Sequence, residues 1–140
     1  MKSNFTHETT LRVRYGETDQ MGYSYYGNYA QYFEVGRVEA LRALGMSYKT
    51  LEEQEVMLPV SELNVEYKSP AKYDDLLTLR TTISEFKGTR ITFTYTMHNE
   101  SGKLVSNGRT TLVFVSKSTM KPMRPPSNFV DLISKHQVEE

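Results

Sequence analysis

The sequence predicts an α+β fold, with one long helix set against an antiparallel β-sheet of about five strands that curls around it. Three observations carry this reading. One run, Asn28 to Leu44, repeats apolar residues at helical spacing. Three later runs alternate apolar and polar residues and are joined by turn signals, so they must be antiparallel neighbours. The chain has 140 residues and no cysteine. That suits one ordinary core without disulfide staples.

The first strand is read from Leu11, Val13 and Tyr15, which alternate with Arg12 and Arg14 and give way at Gly16. The polar residues before it, from Met1 to about His7, read as a frayed tail. In the helix, Tyr29, Phe33, Gly36, Ala40 and Leu44 share one face. Ala30, Val35, Val38 and Leu41 spread apolar and small residues further round, which predicts burial on more than one side. Asn28 is a candidate N-cap with Gln31 three residues on, and Gly45 is the expected stop. A short second helix follows over residues 47–53, capped by Ser47.

Strands are then predicted over 58–67, 76–86, 90–98 and 104–115. Their inward sets are Leu63, Val65 and Tyr67; Leu77, Leu79, Thr81 and Ile83; and Ile91, Phe93, Tyr95 and Met97. Lys87-Gly88 and Asn99-Glu100-Ser101-Gly102 are the hairpin turns, and Asp74-Asp75 is a turn before a strand. Pro122, Pro125 and Pro126 end the sheet. A short helix is expected over 127–134, and Lys135 to Glu140 form a second polar tail. The whole of 1–140 is read as one domain, with its core at about 9–117.

Composition narrows function. Lys plus Arg number 17 and Asp plus Glu 17, so the net charge is zero. Nucleic-acid binding, which draws on excess positive charge to displace counterions, is not expected. Without cysteine there is no cysteine–zinc site, iron–sulfur cluster or thiol nucleophile. No apolar run approaches a membrane span and the N-terminus lacks a signal-peptide core, so a cytoplasmic protein with no membrane partner is expected. His7, His98 and His136 are scattered and form neither a metal set nor a triad.

The segment from Arg14 to Tyr29 carries the chemistry. It is rich in turn formers and aromatics and runs into a helix N-terminus, whose free N–H groups favour negative charge. A carboxylate just before such an end, between aromatic walls, suits acid–base or nucleophilic work. Gly22-Tyr23-Ser24-Tyr25-Tyr26 fails as a nucleophile elbow because its last residue is not glycine. Gly22 to Gly27 fails as a phosphate loop because Asn28-Tyr29 stands where Lys-Ser/Thr is required. Plain structural roles exist for the same residues. Asp19 to Gly22 fits a type I turn, and Glu17 fits a solvated side chain. Tyr23, Tyr25, Tyr26 and Tyr29 suit an acyl-pocket wall or simple packing equally. Asn28 suits a cap or a substrate contact, and Glu34 and Arg37 suit an ion pair.

Tyr15-x-Glu17-Thr18-Asp19-x-Met21-Gly22, followed by Asn28-Tyr29 and Tyr32-Phe33-Glu34-x-x-Arg37-x-Glu39, resembles the hotdog-fold acyl-CoA thioesterases of the 4-hydroxybenzoyl-CoA thioesterase type. Tyr67-x-Ser69-Pro70-Ala71-x-Tyr73-Asp74-Asp75-Leu76 is similar to the family's second recurring stretch. The resemblance spans Leu11 to Val115. It implies a sheet wrapped around the helix and hydrolysis of an acyl-CoA thioester. Asp19 would be the catalytic base or nucleophile, and the Tyr26 backbone N–H the oxyanion donor. Tyr23, Tyr25, Asn28 and Tyr29 would be the substrate-binding set. No metal and no cofactor is implied, since coenzyme A enters as part of the substrate. A homodimer or homotetramer with sites at subunit interfaces is expected. Two other readings stay open: a thioesterase acting on acyl carrier protein, and a non-catalytic acyl-CoA binding module. Tyr26 stands where many relatives carry histidine, and Ser24 where many carry an aliphatic residue.

Overall fold

In the computed structural model, which describes residues 1–139, five long strands form one antiparallel sheet. They are β1 (Lys2–Arg12), β3 (Val60–Tyr67), β4 (Leu76–Lys87), β5 (Arg90–His98) and β6 (Leu104–Val113), in the spatial order β3-β6-β5-β4-β1. A two-residue strand, β8 (Gln137–Val138), closes the far edge against β1. Helix α1 (Tyr29–Leu44) lies on the sheet's inner face, giving the hotdog architecture. The short α2 (Tyr48–Glu53) follows it, then β2 (Val56–Met57), which pairs with β7 (Val115–Ser116). Helix α3 (Ser127–Ser134) ends the core.

Alternation decides which side chains face inward. Leu77, Leu79, Thr81 and Ile83 of β4, and Ile91, Phe93, Tyr95 and Met97 of β5, are all buried as the pattern predicts. Their intervening threonines face outward. The hairpin turns form where glycine can take positive φ, at Gly88 (+62°) and Gly102 (+83°). Helix α1 ends in a left-handed Gly45 at φ +107°, whose N–H caps the last carbonyls. Ser47 caps α2, accepting from the Thr50 N–H at 3.2 Å.

Helix and sheet approach closely through two glycines. Gly36 faces β4: a Cβ there would stand 2.6 Å from Leu79 Cδ2 and closer still to Thr81 Oγ1. Gly108 of β6 faces the helix: a Cβ there would stand 2.6 Å from Phe33 Cζ and 2.9 Å from the Asn64 carbonyl. Phe33 therefore lies flat on the sheet and stacks on Tyr95 with centroids 4.4 Å apart. Thr81 Oγ1, buried beneath Gly36, has no hydrogen-bond partner among the described residues.

Several expectations need correction. The first strand is not confined to Leu11–Tyr15. It begins at Lys2 and ends at Arg12, and Tyr15 lies in a 3₁₀ turn at 78% exposure. The N-terminal tail is not frayed, because backbone pairing with β4 holds it along its length even where alternation is weak. Nor is the C-terminal tail: Gln137 and Val138 pair with β1, while Glu140 lies outside the described residues. Core and sheet thus reach beyond 9–117, since Phe129 and Ile133 of α3 are fully buried and the Phe129 ring meets Phe86 and Phe114. The helix buries less of its surface than expected: Leu41 is buried and Val38 partly so, but the other two residues placed further round are not. Ala30 and Val35 are exposed, because the sheet covers just the face that carries Phe33, Gly36 and Ala40. Leu63 and Tyr67 share a face as expected, but they stand about half exposed on the open edge strand β3.

Gly108→Ala should destabilise the fold by about 1–3 kcal/mol, since neither Phe33 nor the Asn64 backbone can retreat. Thr81→Val, which removes an unpaired buried hydroxyl at nearly constant volume, should stabilise it by about 1 kcal/mol. Urea unfolding midpoints of the two variants, moving in opposite directions, would check both.

Candidate active site

The loop between β1 and α1 is built around Glu17. A 3₁₀ turn over Tyr15–Glu17 brings its carboxylate back to the Arg14 N–H, 2.8 Å away. The Arg14 guanidinium reaches the same carboxylate at 3.3 Å. The Glu17 carbonyl accepts the Tyr25 N–H at 2.8 Å and Asn28 Nδ2 at 2.7 Å. One residue thus closes the loop over residues 18–24 through main chain and side chain together. Glu17 is not the solvated side chain expected, because its carboxylate turns inward to this network and is only 13% exposed.

Beneath the loop runs a directed chain of hydrogen bonds. Tyr32 has one phenolic proton and donates it to Glu17 Oε1 at 3.0 Å. Ser24 Oγ, 2.8 Å from Tyr32 Oη, must therefore be the donor in that pair. Asn28 Nδ2 completes the chain to Ser24 Oγ at 3.3 Å. Burial foremost pushes the Tyr32 phenol up to about 12. The Ser24 bond opposes that rise and the Glu17 carboxylate adds to it.

Asp19 sits at the loop's tip. The Gly22 N–H bonds to the Asp19 carbonyl at 2.9 Å, so the expected turn is present, with Gly22 at φ +80°. Asp19 Oδ1 accepts the Met21 N–H at 2.9 Å. Oδ2 has no donor among the described residues. The turn spends one carboxylate oxygen and presents the other. Ser24 N–H bonds to the Ala71 carbonyl at 2.6 Å, which seats the loop on the segment after β3.

These contacts border an open, cleft-like cavity of about 300 Å³. Asp19, Tyr23, Tyr26 and Tyr29 line it together with Met21, Ser24, Tyr67, Lys68, Ser69 and Pro70. Of the candidate residues, Tyr25 and Asn28 do not line it. The Tyr25 ring turns outward beside Tyr26, with centroids 4.5 Å apart. Asn28 is neither a side-chain cap nor a free ligand, because both hydrogen bonds from its amide nitrogen go to Glu17 and Ser24. A second 3₁₀ turn, over Tyr26–Asn28, extends α1 back to Tyr26. The Tyr26 N–H accordingly belongs to the first turn, whose donors lack partners within the helix. The Gly27 backbone is pressed against the Tyr25 ring, where a Cβ would clash at 3.1 Å or less.

Sequence reasoning missed Tyr67 and the Ser69-Pro70 segment as cavity walls, and Tyr32 as the centre of the polar chain. The motif around Ser69-Pro70 was visible, but only the Ser24–Ala71 backbone bond brings it to Asp19. Glu34 and Arg37 do not pair. Arg37 is buried and donates from Nε to the Tyr48 hydroxyl at 3.2 Å. Among the described residues no cluster of His, Cys, Asp and Glu could hold a metal ion. No helix there is long and apolar enough to cross a membrane.

Residues 13–133 match the thioesterase-like superfamily. The acyl-CoA thioester hydrolase YbgC of Escherichia coli is 33% identical over 120 residues, spanning 86% of this chain and 90% of that protein. The acyl-CoA thioesterase YbgC of Haemophilus influenzae is 36% identical over 117 residues, spanning 83% and 85%. The crystal structure of a DHNA-CoA thioesterase from Staphylococcus aureus superposes with a TM-score of 0.89 at 35% identity, covering 93% of this chain and 89% of that one.

Tyr32→Phe should break the polar chain and leave Ser24 Oγ short of an acceptor, at a cost of about 1–2 kcal/mol. Adding Ser24→Ala should recover part of that loss, which a double-mutant cycle in urea would measure. The same phenol sets a pH dependence. An unfolded tyrosine ionises near 10, whereas Tyr32 keeps its proton up to about 12. Its contribution to stability is therefore full below pH 10 and falls away as pH rises from there through 12. Tyr32→Phe should flatten that part of the stability profile.

Proposed function

The chain belongs to the thioesterase-like superfamily, and from that premise we propose that it hydrolyses acyl-CoA thioesters to a free acid and coenzyme A. The observation that carries this reading is the pairing of an unspent Asp19 oxygen with the start of α1 across one tyrosine-walled cavity. A thioester carbon is already electrophilic. It needs an oxygen nucleophile on one face and donors for the charge that develops on its carbonyl oxygen. Asp19 Oδ2 supplies the first requirement, as a base that takes a proton from water or as the attacking oxygen itself. As a base, Asp19 lets water attack the acyl carbon, the C–S bond breaks and the thiolate leaves to be protonated. As the attacking oxygen, it displaces the thiolate to form a mixed anhydride, which water then opens to the free acid and the restored carboxylate. The Tyr26 N–H supplies the second requirement, in a position where the helix dipole also favours negative charge.

Tyr23, Tyr26 and Tyr29 are read as walls for the acyl group, since tyrosine combines an apolar body with a polar tip. Lys68 stands at the rim, already paired with Glu66 at 2.9 Å, and is read as a contact for the phosphates of coenzyme A. The chemistry needs no metal and no prosthetic group. A dimer formed edge to edge through β3 fits the half-exposed Val60, Leu63 and Tyr67 on that open strand.

Thiol release from short, medium, long and aromatic acyl-CoAs should show turnover by the wild type. Asp19→Asn should lower kcat by about 10²-fold or more while leaving the fold intact. Activity retained by Asp19→Asn would reject that residue's role, and silence on every ester would reject the acyl-CoA reading in favour of a carrier-protein substrate or a binding role. Sedimentation equilibrium should give a dimer or a multiple of it. A monomer at assay concentration would refute the assembly.

A further inference from the structure

We propose that Tyr67 is a positioning residue for this site, holding the first turn of α1 so that the Tyr26 N–H keeps its direction toward the cavity. The inference rests on the hydrolase reading above. Tyr67 closes β3, the open edge of the sheet, 41 residues from Tyr26 in sequence. Its hydroxyl donates to the Tyr26 carbonyl at 3.0 Å. Its ring meets Tyr29 edge-on with centroids 4.8 Å apart, and Tyr26 at 6.3 Å. Among the described residues, no other tyrosine of the cavity gives its hydroxyl to the backbone of that first turn.

The geometry clamps Tyr26 on both of its peptides. On the preceding peptide, which carries the Tyr26 N–H, the Tyr25 carbonyl accepts the Asn28 N–H at 2.9 Å. On the following peptide, the Tyr26 carbonyl accepts both the Tyr29 N–H and the Tyr67 hydroxyl. Tyr26 itself is 64% exposed, so little packing holds it. A short first turn of 3₁₀ type at a helix start frays readily, and its rigidity must come from outside the helix. Tyr67 is that outside anchor.

Tyr67 is half exposed and its hydrogen bond competes with water, so the net contribution of that bond to stability is small. Its value lies in orientation, because transition-state donors work by being fixed before charge develops. A structural role and a positioning role therefore separate. Loss of a structural bond lowers Tm. Loss of a positioning bond lowers kcat with KM and Tm nearly unchanged, because the donor matters most when the oxyanion forms.

The test compares wild type, Tyr67→Phe, Asp19→Asn and Tyr73→Phe on butyryl-CoA, lauroyl-CoA and benzoyl-CoA, with kcat and KM resolved and Tm measured for each. Tyr67→Phe keeps the ring and its contacts. It should lower kcat about tenfold, with KM within twofold and Tm within about 2 °C of wild type. Tyr73→Phe, on an exposed ring that contacts Tyr15 outside the cavity, should match wild type. A Tyr67→Phe protein with unchanged kcat, or one whose defect lies in KM or Tm, would overturn the proposal while leaving the hydrolase reading in place. A wild type that turns over none of the esters would overturn both, and a fully active Asp19→Asn would reject only the role given to Asp19, with Tyr67 still judged by its own kcat.

Discussion

The close seat of α1 on the sheet is the constraint on which the rest of the molecule depends. Gly36 in the helix and Gly108 in β6 remove two side chains from the contact, and Phe33 fills the space between them against Tyr95. Packing this tight tolerates little sliding or rotation, since interiors are close-packed and a displaced ring would meet backbone. The helix start is therefore delivered to a fixed place over the sheet. Every later feature of the site, from the Tyr26 N–H to the Tyr29 wall, inherits that placement.

The loop that faces the helix start is stabilised by different means. Few of its residues are buried, and it is held instead by polar contacts that converge on Glu17 and by one backbone bond to Ala71. Such an arrangement suits a site that must offer a carboxylate to solvent and substrate. The apolar core beneath supplies the stability, and the loop supplies the geometry. The chain from Asn28 through Ser24 and Tyr32 to Glu17 has a donor and an acceptor at each link, which lets polar groups lie under the cavity with their hydrogen bonds made.

Much of the fold was legible because its signals are local. Alternation in β4 and β5 named the inward residues, and Gly45, Gly88 and Gly102 marked ends and turns through the backbone angles they alone adopt easily. The first strand was not fully legible. Lys2 to Thr10 carry little apolar alternation, and their pairing comes from β4 along the strand and from β8 at Lys2 and Ser3. The exposed side of α1 was misjudged for a related reason. Ala30 and Val35 suggest burial by composition, while the sheet covers only the opposite face. At the site, Asp19 could be named from the motif that contains it, and its turn from Asp19-to-Gly22 spacing. Tyr67 could not, because its partner lies 41 residues away on a backbone carbonyl that leaves no trace in side-chain pattern.

By itself the sequence determined the α+β class, the long helix and its Gly45 stop, the inward faces of the central strands, and the short segment that holds the carboxylate. These follow from period, turn chemistry and residue type, all of which act over a few residues. The tertiary structure alone decided that the terminal segments join the sheet, that Asn28 and Glu17 brace the loop, that Arg37 turns to Tyr48 instead of Glu34, and that Tyr67 closes over the helix start. Most of those outcomes are hydrogen bonds or strand pairings between partners that become neighbours only once the chain has folded.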